Sequence, residues 1–367
     1  MKCHSLLASA CLTVLLTASA NAAESSADKV IEHYGLQQGD TPVKERKGWR
    51  KPKRILIGGF AAQLGPVLQS VAPDVEFIVA GSPEAKAKIA SIDAVIGFCS
   101  ADVLSAGKSI QWIQLTSAGV ENCVAVPAVK DRNLLVTNMQ RISGPIIAEH
   151  VIAMTMAFTR GLDLYIPAQA QGNWMRGLQP GRATVVEGKT MLVVGLGGIG
   201  TEVAKRAHAL GMKVTATRNS GRTGPDFVSY VGLADELPKL ASEADFVVNT
   251  APLTPQTQGI FNAALFAKMK PSAYLINIAR GGSVVTSDLI DALKTKKIAG
   301  AALDVTDPEP LPADHPLWKA PNIIITPHVA SDSDVGQDAQ LQVVRENLRR
   351  YLAGEKMLSV VDVARGY

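Results

Sequence analysis

The sequence predicts an α/β protein of two doubly wound, Rossmann-like parallel sheets. Short apolar runs recur at helical intervals, they are apolar at successive positions rather than alternating, and a Gly-rich turn joins one of them to a helix. A strand with one wet face alternates, whereas a strand covered on both faces does not. Continuous runs separated by helical lengths therefore indicate parallel sheets with helices on either side. The 367 residues, 47% apolar and 19% charged, suit about two domains and argue against a disordered chain. A net charge of +4 predicts no nucleic-acid partner, and 5% aromatics leave little for base stacking or a membrane belt.

Met1–Ala22 carries Lys2, the apolar run Leu6–Leu16 and then Ala20-Asn21-Ala22. A short basic start, an apolar stretch of this length and an Ala-x-Ala end read as a secretory signal over 1–22. The expectation is a periplasmic or secreted protein with no membrane association after cleavage, or a cytoplasmic one if the start is misassigned. Two cysteines then remain, Cys99 and Cys123. They read as buried thiols; export permits a disulfide, but sequence gives no distance between them. No Cys-x-x-Cys, His-x-His or His-Glu-x-x-His pattern occurs, so no metal site is expected.

Residues 23–53 are polar and basic, with Lys44, Arg46, Lys47, Arg50, Lys51 and Lys53 around Trp49. This stretch reads as a solvated linker, with a surface for an anionic partner as the alternative. The first series of runs, Arg54–Gly58, Val75–Val79, Asp93–Gly97 and Trp112–Leu115, follows it. A long helix is then expected over 145–160, with Pro145 suited to its first turn and Gly161 to its stop. The second series comprises Thr190–Val194, Lys213–Thr217, Phe246–Asn249, Tyr274–Asn277, Ala301–Asp304 and Asn322–Thr326. A last helix, 337–352, lies beyond it and is able to return to the first domain.

The run ending at Val194 leads into Gly195-Leu196-Gly197-Gly198-Ile199-Gly200 and a helix. Gly195 makes the tight turn, Gly197 lets the backbone approach a pyrophosphate, and Gly200 brings helix and strand together. The anion would sit on the unpaired N–H groups at the helix start. A Gly-rich structural turn is the competing reading. An NAD site places an acid at the end of the next strand, to accept from the ribose hydroxyls. Here Arg218-Asn219-Ser220-Gly221-Arg222 stands there instead, which predicts NADP(H) in preference to NAD(H), with Arg218, Ser220 and Arg222 toward a 2′-phosphate.

Five segments then occur in order: Leu192–Gly200, Ala251–Thr257, Asn277–Gly282, Leu303-Asp304-Val305 with Pro308-Glu309-Pro310, and Thr326-Pro327-His328. Together they resemble the D-isomer-specific 2-hydroxyacid dehydrogenase family, glyoxylate/hydroxypyruvate reductases in particular, from about Ile55 to Leu352. The resemblance implies a dinucleotide-binding domain, 145–334, inserted into a flavodoxin-like substrate domain, 54–144 and 335–360, with a catalytic cleft between them. It implies Arg280, Glu309 and His328 as the catalytic set. His328 is suited to give a proton to the growing alkoxide, because imidazole titrates near ~6.5. Glu309 would stabilise the imidazolium and fix its tautomer, and Arg280 offers a fork of donors to a carboxylate or carbonyl oxygen. Coenzyme contacts are expected from Gly195, Gly197, Gly198, Ile199, Gly200, Arg218, Asn219, Ser220, Arg222, Ala251, Pro252, Ile278, Ala279, Arg280, Asp304 and His328.

The loop Ser117-Ala118-Gly119-Val120 resembles the family segment whose N–H groups hold the substrate carboxylate, with Arg280 and His328 completing the substrate set. Glu121 replaces the usual Asp, Thr306 stands where an aromatic is frequent, and the residues before Glu149-His150 depart from the common form. These departures put the substrate side chain in doubt rather than the chemistry. His33, His150, His208 and His315 lack a catalytic context, and His150 and His208, inside helices, read as packing or surface residues. A homodimer through the helix 145–160 and Asn173–Arg176 is implied. The expected activity is NAD(P)H-dependent reduction of a small 2-oxo acid to a D-2-hydroxy acid, or the reverse. A dinucleotide-sensing, corepressor-like binding protein on the same fold and a phosphite or formate dehydrogenase are the alternatives.

Overall fold

A computed structural model describes residues 27–177 and 183–366; the secretory signal expected over 1–22 lies outside them. The chain divides into two compact units. One runs to Ile142 and resumes at Asp334, and the other is Ser143–Ser333.

The first unit holds a five-stranded parallel sheet in the order β2-β1-β3-β4-β5 among the described residues. Its strands are β1 Arg54–Ile57, β2 Glu76–Val79, β3 Ala94–Ile96, β4 Trp112–Gln114 and β5 Leu135–Thr137. Alternate residues of one strand enter opposite cores: Ile55 and Ile57 join the cluster containing Val343, Leu348 and Tyr351, and Leu56 joins the one containing Ile92 and Cys123. That double burial is why the runs are apolar throughout. The helix Gly336–Ala353 covers one face of this sheet through Val343, Val344, Leu348 and Tyr351, and Tyr351 stacks on Trp112 at 4.7 Å.

The expectation of a solvated linker over 23–53 needs correcting for its described part. Val43 is buried, its N–H donates to the carbonyl of Glu355, and Gly39 donates to Met357. Apolar residues interleaved with the charges (Leu36, Val43, Trp49) pack on the core and hold the segment down. The two thiols need correcting as well, because Cys99 and Cys123 are joined in a disulfide with their Cα atoms 5.4 Å apart.

The second unit holds, among the described residues, a seven-stranded parallel sheet in the order β12-β11-β10-β9-β6-β7-β8. Its strands are β6 Thr190–Val194, β7 Lys213–Thr217, β8 Tyr230–Gly232, β9 Phe246–Asn249, β10 Tyr274–Asn277, β11 Gly300–Leu303 and β12 Ile323–Ile325. Leu192 and Val194 face one core, Met191 and Val193 the other. The helix Gly144–Arg160 lays Ile147, Val151, Met154 and Phe158 on the second of these, a 4-3-4 spacing that places one face on the sheet. Gly161, in the left-handed region at φ 68°, closes it.

Candidate active site

Strand order reverses between β6 and β9, because β7 and β8 extend to one side of β6 and β9 to β12 to the other. In an open parallel sheet this switch point opens a crevice at the carboxyl ends of the strands. The Gly-rich turn leaves β6 there. Gly195 has φ +97°, and a Cβ on it would lie 2.7 Å from the Cα of Ala251, so only glycine fits. Its N–H and that of Leu196 both donate to Thr217 O, which fixes the turn to the end of β7. The helix Gly198–Ala209 starts from Gly197 with no side-chain cap, so its first N–H groups have no partner within the helix. A Cβ on Gly197 would meet nothing within 4 Å, whereas one on Gly200 would strike the Gly195 carbonyl at 2.2 Å. Gly197 thus opens onto space that no protein atom fills, beside unpaired N–H donors and a positive dipole end. This is a fitting seat for the diphosphate of a dinucleotide.

Arg280, Glu309 and His328 follow β10, β11 and β12, three neighbouring strands, and so share the carboxyl edge of the sheet. His328 Nδ1 and Glu309 Oε1 lie 2.6 Å apart, both side chains partly exposed. Glu309 also accepts from the Thr306 N–H at 3.3 Å. Arg280 is half-buried and donates to its neighbour's carbonyl, Ala279 O, at 2.6 Å. A Cβ on Gly281 would lie 1.9 Å from Thr306 O, so the Thr306–Asp307 backbone crosses directly over the residue beside Arg280. Only glycine permits that approach of the loop that carries Glu309.

His328 has φ +57°, uncommon for a residue with a side chain. Its N–H donates to Asp304 O and Thr326 O. Asp304, 2% exposed, shapes the rest of this turn. Its carboxylate accepts from Thr326 Oγ1 at 2.7 Å and from the N–H groups of Val329 and Ala330 at 3.0 Å. Expected among the coenzyme contacts, Asp304 is engaged here in holding the histidine loop. His150 Nε2 lies 3.1 Å from Thr326 Oγ1, so a histidine read as packing or surface belongs to the same network. Asn249 and Asn277, both fully buried, do similar work at the ends of β9 and β10. Asn249 donates to Asn277 Oδ1, Asn277 donates to Arg280 O, and their side-chain oxygens accept from the N–H groups of Ala251 and Ala279. The turns carrying Ala251-Pro252 and Ile278-Ala279-Arg280 are thereby set from inside the sheet.

At the end of β7, Arg218 is half-buried and donates to Thr223 O at 3.0 Å, while Asn219 and Ser220 are exposed. Arg222 is drawn aside. It pairs with Glu236 at 2.7 Å and donates to the Tyr230 hydroxyl at 2.9 Å. Hydrogen bonds from Tyr230 and Leu233, with Arg222 beside them, hold the Glu236 carboxyl below its ordinary range.

In the first unit, Ser117–Val120 follows β4. Ser117 Oγ donates to Gly119 O, Asn138 Nδ2 donates to Ala118 O, and the Met139 N–H donates to Ser117 O. The N–H groups of Ala118, Gly119 and Val120 enter none of the hydrogen bonds among the described residues. Three consecutive N–H groups that no described residue engages are available to a carboxylate. The helix Glu121–Val124 starts directly after them, and its Cys123 is tied to Cys99 just beyond β3.

The sequence profile of the D-isomer specific 2-hydroxyacid dehydrogenase, NAD binding domain, matches residues 152–330. The glyoxylate/hydroxypyruvate reductase A of Photorhabdus laumondii is 38% identical over 220 residues, 60% of this chain and 68% of that protein. Two solved structures are alike over most of the chain. A probable 2-hydroxyacid dehydrogenase from Rhizobium etli, in complex with NADP, HEPES and L(+)-tartaric acid, is 25% identical with a TM-score of 0.74, covering 87% of this chain and all of that one. The NADPH-dependent glyoxylate/hydroxypyruvate reductase of Sinorhizobium meliloti, in complex with NADP and sulfate, is 28% identical with a TM-score of 0.73, covering 86% and all. The chain is an oxidoreductase on a Rossmann-type fold. It belongs to the D-isomer specific 2-hydroxyacid dehydrogenase family.

Proposed function

We propose that the protein reduces a small 2-oxo acid of the glyoxylate or hydroxypyruvate class to its D-2-hydroxy acid, with NADP(H) preferred over NAD(H). The observation that carries this reading is the 2.6 Å contact between His328 Nδ1 and Glu309 at the carboxyl edge of the sheet, one strand from Arg280. A nicotinamide dinucleotide, when bound, supplies the hydride. The helix start at Gly197–Gly200 holds its diphosphate, and Arg218 holds the 2′-phosphate. Arg222, already paired with Glu236, has the lesser part.

With Nδ1 engaged by Glu309, Nε2 is the ring atom that carries the proton to the substrate oxygen. Glu309 stabilises the imidazolium and keeps the ring in that tautomer. Arg280 presents a permanent charge to the substrate carboxylate or carbonyl oxygen, and the N–H groups of 118–120 are the first unit's own carboxylate cradle. The NADP preference rests on the missing acid at the end of β7, on Arg218, and on the NADP bound in the structures of two relatives.

Export to an oxidising compartment is part of the proposal. It is supported by the N-terminal pattern over 1–22 and by the disulfide between Cys99 and Cys123. So is a homodimer, supported by the exposure of Ile166, Trp174 (90% exposed) and Val185 in one stretch of sequence. The test is a panel of 2-oxo acids with NADPH and NADH and the purified protein. Consumption of NADPH with one or more small 2-oxo acids is expected. Tight coenzyme binding without turnover on any of them would overturn the enzymatic reading.

A further inference from the structure

The basic stretch around Trp49 lines a cavity of about 200 Å³ in the first unit. Arg46, Lys47, Lys108 and Arg132 converge on it, and no acidic side chain lines it. None of the four forms an ion pair among the described residues. Arg46 donates to the carbonyl of Asn133, and Arg132 to those of Leu104, Gly107, Lys108 and Ile110. Burial, with no carboxylate to offset it, pushes both guanidinium groups below their ordinary range.

Two further donors lie in the lining. The Trp49 indole N–H is buried without a partner. Tyr351, only 2% exposed, makes no side-chain hydrogen bond among the described residues, and burial pushes its hydroxyl above the usual phenol range. Asp93, the carboxylate whose charge reaches Tyr351, is already taken by Arg50 at 2.6 Å and by the N–H groups of Lys53 and Arg54. Buried donors are ordinarily satisfied. Lys47 and Lys108, each without an ion-pair partner among the described residues, and the buried Trp49 indole N–H therefore face one hollow that supplies them no acceptor.

We propose that this cavity binds a small oxyanion, a compact metabolite bearing phosphate or carboxylate groups. Its lining meets the amino ends of β4 and β5, whereas Ser117–Val120 lies at the carboxyl end of β4, so it is not part of the substrate loop. Its volume is below the roughly 300 Å³ at which drug-sized pockets begin, so a dinucleotide is too large for it.

The test is titration calorimetry of the full protein with inorganic phosphate and, in a second arm, citrate, at fixed ionic strength, beside Lys47→Glu/Lys108→Glu. Both lysines are exposed and outside the catalytic machinery, so turnover of a 2-oxo acid stays unchanged in the variant. The expected result is saturable binding of at least one oxyanion, weakened tenfold or more by the charge reversals, and the arm that binds identifies the phosphate or the carboxylate class. Anions held at the coenzyme turn or Arg280 persist in the variant, so equal isotherms for the two proteins overturn the proposal. Heats no larger than those of chloride in both arms overturn it as well.

Discussion

His328 bears two constraints at once, a left-handed backbone and a carboxylate on one ring nitrogen. The first costs on the order of 1–3 kcal/mol and persists only where neighbours over-determine it, as Asp304, Thr326 and His150 do here. Glu309→Gln keeps the shape and removes the charge, so kcat on the 2-oxo acid should fall on the order of 10²-fold while the coenzyme Kd stays put; an unchanged kcat would remove Glu309 from the mechanism. Arg218→Ala should lower kcat/KM for NADPH roughly 10- to 100-fold, the worth of one charged hydrogen bond, and leave NADH unaffected. Parallel kinetics with the two coenzymes check it, and an equal loss with both would point to a structural role. The Gly turn and the pairing of Glu309 with His328 were legible because each sits in a motif of several residues. Asn249, Asn277 and His150 were not. A single polar residue at a strand end, or on a helix face, gives no spacing by which to distinguish it from an ordinary surface position.

Elements were legible where burial on both faces made a run four or five residues long, as in β6 and β7. β5 and β8, three residues each, were not anticipated, whereas β12, equally short and also at an edge, was legible from its run of three isoleucines. The Cys99–Cys123 link was illegible for another reason, since pairing depends on β3 and β4 being neighbours in the sheet. It closes a loop of 24 residues in separation, for which chain entropy gives about 3 kcal/mol. Thermal unfolding with and without a thiol reductant should show a lower Tm on reduction. KM for the 2-oxo acid should rise, because the bridge fixes the helix that follows Ser117–Val120; an unmoved Tm and KM would deny it that role.

In the helix Gly336–Ala353, burial pushes the Glu346 carboxyl up, but hydrogen bonds from Arg349 and Arg350 outweigh it and leave it below its ordinary range. A depressed carboxylate contributes stability above its unfolded pKa, near 4.3, and that contribution is lost as pH falls through the lower folded value. Glu346→Gln should therefore cost about 3 kcal/mol at neutral pH, leaving buried Arg350 without its partner, and much less in acid. Denaturant unfolding at pH 7 and pH 3 measures the difference, and an equal cost at both would contradict the assignment.

At the scale of the whole molecule, the chain devotes one unit, Ser143–Ser333, to the glycine turn and to all three catalytic candidates, and assigns the Ser117–Val120 loop and the basic cavity to the other. The basic stretch misled because its apolar anchors are spaced singly among the charges. The account rests on an imidazole that donates a proton while its other nitrogen is held by Glu309. The most direct measurement is the single-turnover rate of NADPH consumption with a reactive 2-oxo acid, for wild type and His328→Asn at equal coenzyme saturation. The account predicts a rate lower by roughly 10²–10⁴ in the variant, with coenzyme affinity within about threefold of wild type. Equal rates in the two proteins would contradict it.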